Sequence, residues 1–392
     1  MSAPEKPVTA PPSTERQVEA GSVPAALAGL RVLEIASVVA APAVGKYLAD
    51  YGADVIKVEP PGGDGSRTLG WIDPTDGVSL FFKLVNRGKR SIVLDLKSAS
   101  GANRVRELAR DADVLIENMR PGKLERLGLD PAALIQANPR LVVLRLTGFG
   151  QTGPLAQDPG FATTAEAMSG LSAIMGEPDR GPSLPPIAIT DEVAGLAGAL
   201  AVMIALRYVD HGGTGQVVDV SLLESIFQIL GPLPAAWDSL GYLQQRLGSG
   251  LPYSVPRGTY VAKDGRWIAV STSAESVARR VLQVVGLDDP SLGSFEARYA
   301  NRELIEDRLR EWVAARESDE AIEELRAADA AVAPVLDMAE VATNSHFLAR
   351  GALESVDNVT MQAPIARMSK TPGRIRHAGV VALPPDTGWE PR

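Results

Sequence analysis

The feature that most constrains the fold is a repeated alternation of short apolar runs and helix-forming stretches through Leu30 to Leu146. Leu30-Arg31-Val32-Leu33-Glu34-Ile35 reads as a strand. Ala41 to Asp50 follows as a helix with Pro42 near its first turn, and Gly52 stops it. Ala53 to Glu59 is a second strand, closed by Pro60-Pro61-Gly62-Gly63. Strand, helix and strand make a βαβ unit, which joins two parallel strands with right-handed crossover. The pattern continues with a strand at Arg90 to Leu96, an amphipathic helix at Ser100 to Asp111, and strands at Asp113 to Glu117 and Leu141 to Leu146. Four or five parallel strands with intervening helices predict an open α/β sheet covered on both faces. The turn after the first strand, Ala36-Ser37-Val38-Val39-Ala40-Ala41, has no Gly-x-Gly-x-x-Gly, which argues against a nicotinamide or flavin enzyme. Ligands of such sheets sit beyond the carboxyl ends of the strands, here at Ser37–Ala41, Asn118–Gly122 and Thr147–Pro154.

Composition narrows the function. With 392 residues and 45% hydrophobic content the chain can build two domains. Its lack of cysteine excludes disulfides, thiolate catalysis and sulfur-ligated metals, and His211, His346 and His377 have no metal-site spacing, so no metal is expected. A net charge of −9 argues against nucleic acid or an anionic membrane as partner. No apolar run is bounded like a membrane span, and the first residues lack the layout of a signal peptide, so a soluble cytoplasmic protein is expected. Residues 1–28, rich in Pro, Ser, Thr and Glu, read as a disordered tail.

The stretch Ile187 to Arg207 is a short apolar run followed by Thr190, Asp191, Glu192 and a proline-free, small-residue helix. Thr190 reads as its N-cap, which puts Asp191 in the first turn, where free backbone N–H groups favour a carboxylate. From this window alone Asp191 is either a group held for chemistry or ordinary decoration of a helix start. Further on, Gly215 to Val220 is a strand leading into a Ser221-capped helix with Glu224 three residues later. A Gly- and Pro-rich crossing covers 231–256, a hairpin turning at Asp264-Gly265 spans Gly258 to Val270, and helical patterns run from Ala274 to Ala328. This organisation divides into a large α/β domain over 29–225, a linker and small α+β domain over 226–330, and a return to the large domain over 331–392.

Several of these pieces, in this order, resemble the class III CoA-transferases, the group containing formyl-CoA transferase, carnitine CoA-transferase and the α-methylacyl-CoA racemases. The likeness runs from about Leu30 to Pro372. It is carried by Leu30–Glu34, Gly52–Pro60, Asn86–Lys97, Asp113–Asn118, Gly148–Pro154 and Gly215–Val220. The resemblance implies a Rossmann-like sheet in the large domain, an inserted small domain and an interlocked homodimer. It implies Asp191 as the nucleophile of a CoA-transferase that moves CoA from an acyl-CoA to a free carboxylic acid through an aspartyl anhydride and an aspartyl-CoA thioester. No permanently bound cofactor is implied; coenzyme A is a substrate. Positions matching CoA contacts are Val39, Ala40, Leu94, Lys97, Asn118, Met119, Arg120, Arg126, Gly160 and Phe161. Oxyanion donors are sought in the Val39 and Ala40 amides or in the Gly248-Ser249-Gly250 loop, and Gly248 and Gly250 are also the expected substrate residues, with specificity placed in Ser37 to Ala40, that loop and the small domain. Gly160-Phe161-Ala162 stands where the racemases carry Gly-His-Asp, so neither Phe161 nor Ala162 can move a proton, and Glu166 is the remaining candidate partner of Asp191. An acyl-CoA racemase or epimerase and a non-catalytic CoA-binding protein are the competing readings.

Overall fold

The computed structural model describes residues 25–392. Most of the expected tail therefore lies outside the described residues; its last part, 25–28, is a turn anchored by the Leu27 amide on the Tyr51 carbonyl at 2.9 Å.

Seven parallel strands form the central sheet. They are β1 (Arg31–Ile35), β2 (Asp54–Glu59), β3 (Lys89–Val93), β4 (Val114–Glu117), β5 (Val142–Thr147) and β6 (Val217–Ser221), with a last strand contributed from the chain end. Two small antiparallel sheets follow: β7 (Arg257–Val261), β8 (Trp267–Ser271) and β9 (Ala331–Pro334), then β10 (Leu353–Val356) with β11 (Val359–Gln362). Strand β12 (Val380–Ala382) returns to the edge of the large sheet, whose order is β12-β3-β2-β1-β4-β5-β6. The expected parallel sheet of an α/β fold is present, together with the two small antiparallel sheets.

The burial pattern explains why the strands read as near-continuous apolar runs. Val32, Val55, Val142 and Leu144 enter the core under helix Ala40–Asp50 and the long helix Ile189–Asp210. Their neighbours Leu33, Ile56, Leu141 and Val143 enter the core on the opposite face, with Val105 and Leu108 of helix Ala99–Asp111. Both faces are dry, as parallel sheets require.

Two expectations are corrected. Thr190 is not a cap: the helix begins at Ile189 after Ala188, and Thr190 lies inside its first turn with its hydroxyl turned into the core. The helix starts two residues before the position that a Thr190 cap implies. Segment 331–334, expected to return to the large domain, instead pairs antiparallel with β8 and completes the three-stranded sheet. Its alternating Ala-Val-Ala-Pro pattern suits an edge strand, with Pro334 at the end of the ladder.

The helix Ile189–Asp210 is long and apolar enough to cross a membrane by length and composition. Here one of its faces packs on helix Ala40–Asp50. Gly195 and Gly198 permit this close crossing, since a Cβ at Gly195 would sit 2.7 Å from Ala43 Cβ and one at Gly198 would sit 2.8 Å from Val44 Cγ2. That packing brings Asp191 to the carboxyl ends of the central strands.

Candidate active site

Beyond the carboxyl ends of β1, β4 and β5 lies a cavity of about 250 Å³. Ser37, Val38, Val39 and Ala40 line it from the turn after β1; Asn118, Arg120 and Pro121 from the turn after β4; and Thr147, Gly148 and Phe149 from the turn after β5. Asp158 to Phe161 close one side, and Asp191 enters from the first turn of the long helix.

Asp191 and Glu192 stand side by side but have different surroundings. Glu192 is turned onto helix Ala40–Asp50, where it accepts Lys46 Nζ at 2.9 and 3.0 Å and the Tyr47 hydroxyl at 2.5 Å. Asp191 faces the cavity, and its carboxylate has no hydrogen-bond partner among the described residues. Burial raises its pKa from the ordinary value to about 6, and the neighbouring Glu166 and Glu192 carboxylates push in the same direction. A carboxylate of this basicity is still mostly ionised at neutral pH and is less stabilised than a solvated one. The helix start thus separates a neutralised glutamate from an unpaired aspartate.

The turn after β1 is unusually well held. Asn118 uses both ends of its amide on Ser37, accepting from the Ser37 N–H at 3.2 Å and donating to the Ser37 carbonyl at 2.8 Å. Lys57, wholly buried, donates to the Ala36 carbonyl at 2.6 Å and pairs with Glu34 Oε1 at 3.0 Å and Asp64 Oδ2 at 2.9 Å. Burial opposes its charge, yet the two carboxylates outweigh burial and raise its pKa. Val39 is the residue before helix Ala40–Asp50, so the Val39 and Ala40 N–H groups open that helix; among the described residues neither donates to another group of the chain. Such amides suit a developing oxyanion.

The structure gathers Asp191 with Val39, Ala40, Asn118, Arg120, Gly160 and Phe161 around one cavity. It does not place the remaining expected residues there. Leu94 is buried in the core below the end of β3, and Met119 packs against the same core while its amide donates to Glu117 at 2.7 Å. Lys97 is exposed, and Arg126, also exposed, lies over the turn at Gly122. Glu166, expected as a partner in the chemistry, is buried behind Asp191 and accepts the Thr190 hydroxyl at 2.8 Å. Gly248 and Gly250 do not line the cavity; the Gly248 amide donates to the Gly176 carbonyl at 3.0 Å, and Gly250 lies against Arg302.

Sequence reasoning missed Lys57, Glu34 and Asp64, because nothing local shows that charges on two strands and the loop after β2 meet in the interior. It also missed the contact of Gly148 with Gly160, where a Cβ on either would come within 2.7 Å of the other's Cα. Two glycines at these positions let the chain approach itself closely and shape the cavity wall.

Comparison with known proteins follows the same outline. The model for CoA-transferase family III matches residues 27–385. The succinyl-CoA–L-malate CoA-transferase alpha subunit of Chloroflexus aurantiacus is 35% identical over 364 residues, covering 90% of this chain and 85% of that protein. The succinate–glutarate CoA-transferase of Agrobacterium fabrum is 37% identical over 300 residues, covering 73% of this chain and 75% of its own length. Among solved structures, a CAIB/BAIF family protein from Brucella suis superposes with a TM-score of 0.81 at 31% identity, covering 91% of this chain and 96% of that one.

Proposed function

The chain belongs to CoA-transferase family III, and on that premise we propose that it moves CoA between an acyl-CoA and a free carboxylic acid by way of Asp191. The observation that carries the reading is the position of this one aspartate, unpaired and with its pKa raised, in the same cavity as two free amides and Arg120.

The proposed sequence balances without a proton or a metal. The Asp191 carboxylate attacks the thioester carbonyl, the C–S bond breaks, and CoA leaves as thiolate, giving a mixed anhydride. The thiolate then attacks the aspartyl carbonyl, releasing the first acid as carboxylate and leaving an aspartyl-CoA thioester. The incoming carboxylate attacks that thioester to give a second anhydride and thiolate, and thiolate attack on its acyl carbon forms the new acyl-CoA and restores Asp191. Covalent storage keeps the thioester's free energy from being lost to water. The Val39 and Ala40 amides would receive each oxyanion, in preference to the Gly248 loop, because they share the cavity with Asp191.

A cavity of this volume would take the thioester end of the pantetheine arm, leaving the nucleotide outside it past Arg120, where the exposed Arg126 and Lys97 are the further proposed phosphate contacts. Glu166, being out of the cavity, would act through Asp191 by keeping its carboxylate basic. The enzyme is further proposed to work as a homodimer. Leu196, Leu200, Met203, Ile204 and Tyr208 form an exposed apolar stripe on the free side of the long helix, of the kind that a second copy would cover.

The test is substitution of the nucleophile together with chemical trapping. With succinyl-CoA and L-malate, or the pair from an acyl-CoA panel that wild type turns over fastest, Asp191→Ala should abolish transfer while CoA still binds within about threefold. Hydroxylamine added during turnover should modify Asp191 of the wild type. Retained transfer in Asp191→Ala, or deuterium entering the α-carbon without exchange of acids, would reject the proposal in favour of another residue or of epimerisation.

A further inference from the structure

Val38 is branched at Cβ yet sits at φ 71°, in the left-handed region. Such residues stay there only when their surroundings over-determine the backbone, and this happens mainly where a site needs it. Every backbone polar group on the approach to Val38 is held: the Ala36 carbonyl by Lys57, both sides of Ser37 by Asn118, and the Val38 N–H by a long contact of 3.4 Å to Asp64 Oδ1. Lys57 ties the arrangement together. Its ammonium touches both Ala36 and the Asp64 carboxylate, and its third partner, Glu34, is fixed in turn by Lys89 at 2.8 Å. Lys57, Glu34 and Asp64 are buried and none lines the cavity. A buried ion pair with no further role is readily replaced by apolar packing, so a set wrapped around one strained turn calls for another explanation.

Resting on the reading of Asp191 as the acyl acceptor, we propose that Lys57 is a positioning residue: by holding Val38 left-handed it aims the Val39 and Ala40 amides at the carbonyl oxygen that Asp191 attacks. Loss of Lys57 would let Val38 relax to an extended backbone and turn the amides away. Glycine at 38 occupies the left-handed region without strain, so it would keep the turn in place when the lysine is gone.

The experiment compares Lys57→Met, Val38→Gly and the double variant, with Asp191→Ala alongside, using the same substrate pair. Lys57→Met should lower kcat by up to roughly 100-fold, the lower end of the ~100- to 1000-fold seen when an oxyanion donor is removed outright, because here the amides are misdirected rather than lost, with KM for the acyl-CoA within about threefold. Adding Val38→Gly should restore kcat about tenfold without raising Tm above that of Lys57→Met. If Lys57→Met lowers only Tm, or if Val38→Gly fails to restore kcat, the positioning role is overturned while an inactive Asp191→Ala leaves the nucleophile in place. If Asp191→Ala is active, the underlying reading fails instead. Should Lys57→Met not fold, Asp64→Asn, which preserves volume but removes one of the two ion pairs of Lys57, is carried through the same comparison with the same two outcomes.

Discussion

Replacing Asp191 by asparagine should make the protein more stable while ending its catalysis, and the gain should depend on pH. The Asp191 pKa lies near 6 in the folded chain against 3.8 ordinarily, because burial and the Glu166 and Glu192 carboxylates disfavour the charged form. At ~1.4 kcal/mol per pKa unit, roughly two units mean a cost of up to about 3 kcal/mol for folding with this group ionised. The side chain faces an open cleft and is partly solvated, so about 1–2 kcal/mol is the more realistic share. Loss of a favourable charge at a helix start works in the opposite direction by ~0.3–1 kcal/mol and reduces the gain without reversing it. The sign follows from proton binding: between pH 3.8 and about 6 the folded chain holds this proton and the unfolded chain releases it. The wild type therefore loses stability as pH rises through that window, whereas the asparagine variant has no charge to form. An unfolding entropy of ~2.1 cal/mol/K per residue makes 1 kcal/mol worth ~1 °C in a chain of this length, so Asp191→Asn should melt up to about 2 °C above wild type at pH 8 and level with it near pH 4. Thermal unfolding at half-unit pH intervals measures this directly. A gap independent of pH, or a variant less stable at pH 8, would show that Asp191 is not held against its own charge.

Glu166→Gln removes the stronger of the two like charges acting on Asp191 and should move the acidic limb of the kcat/KM profile to lower pH, with kcat at pH 8 within about fivefold of wild type; an unmoved limb, or loss of activity at all pH values, contradicts a role exercised through Asp191. Leu200→Glu with Ile204→Glu places two charges in the exposed stripe of the long helix and should convert a dimer to monomers in solution, read by light scattering; a wild type that is already monomeric refutes the homodimer.

How much of this could be read from the chain depends on whether the deciding interaction was local. The strands of the central sheet were legible because a parallel strand buried on both faces must be apolar at every position, and Val114 to Ile116 and Val142 to Leu144 are. The Ser221 cap and the turn at Asp264-Gly265 were legible because the bonds that make them span three residues or fewer. Pairing across the fold was not: nothing near Ala331 says that it will join β8 rather than the large sheet, and β12 finds its place beside β3 from nearly 300 residues away.

The same distinction runs through the site. The local sequence left Asp191 and Glu192 equivalent; they become different when Lys46 and Tyr47, about 145 residues earlier, claim Glu192 and leave Asp191 alone at the cavity. That division rests on the glycines of the long helix. A side chain at Gly195 or Gly198 would separate the helix from Ala43 and Val44, and the same separation would draw Glu192 away from Lys46 and shift Asp191 relative to the Val39 and Ala40 amides. The small residues of this helix therefore help set the geometry of the site although none of them touches the cavity. The nucleophile role proposed for Asp191 needs one acid left unpaired, and the close crossing of two helices pairs its neighbour Glu192 with Lys46 and leaves Asp191 so.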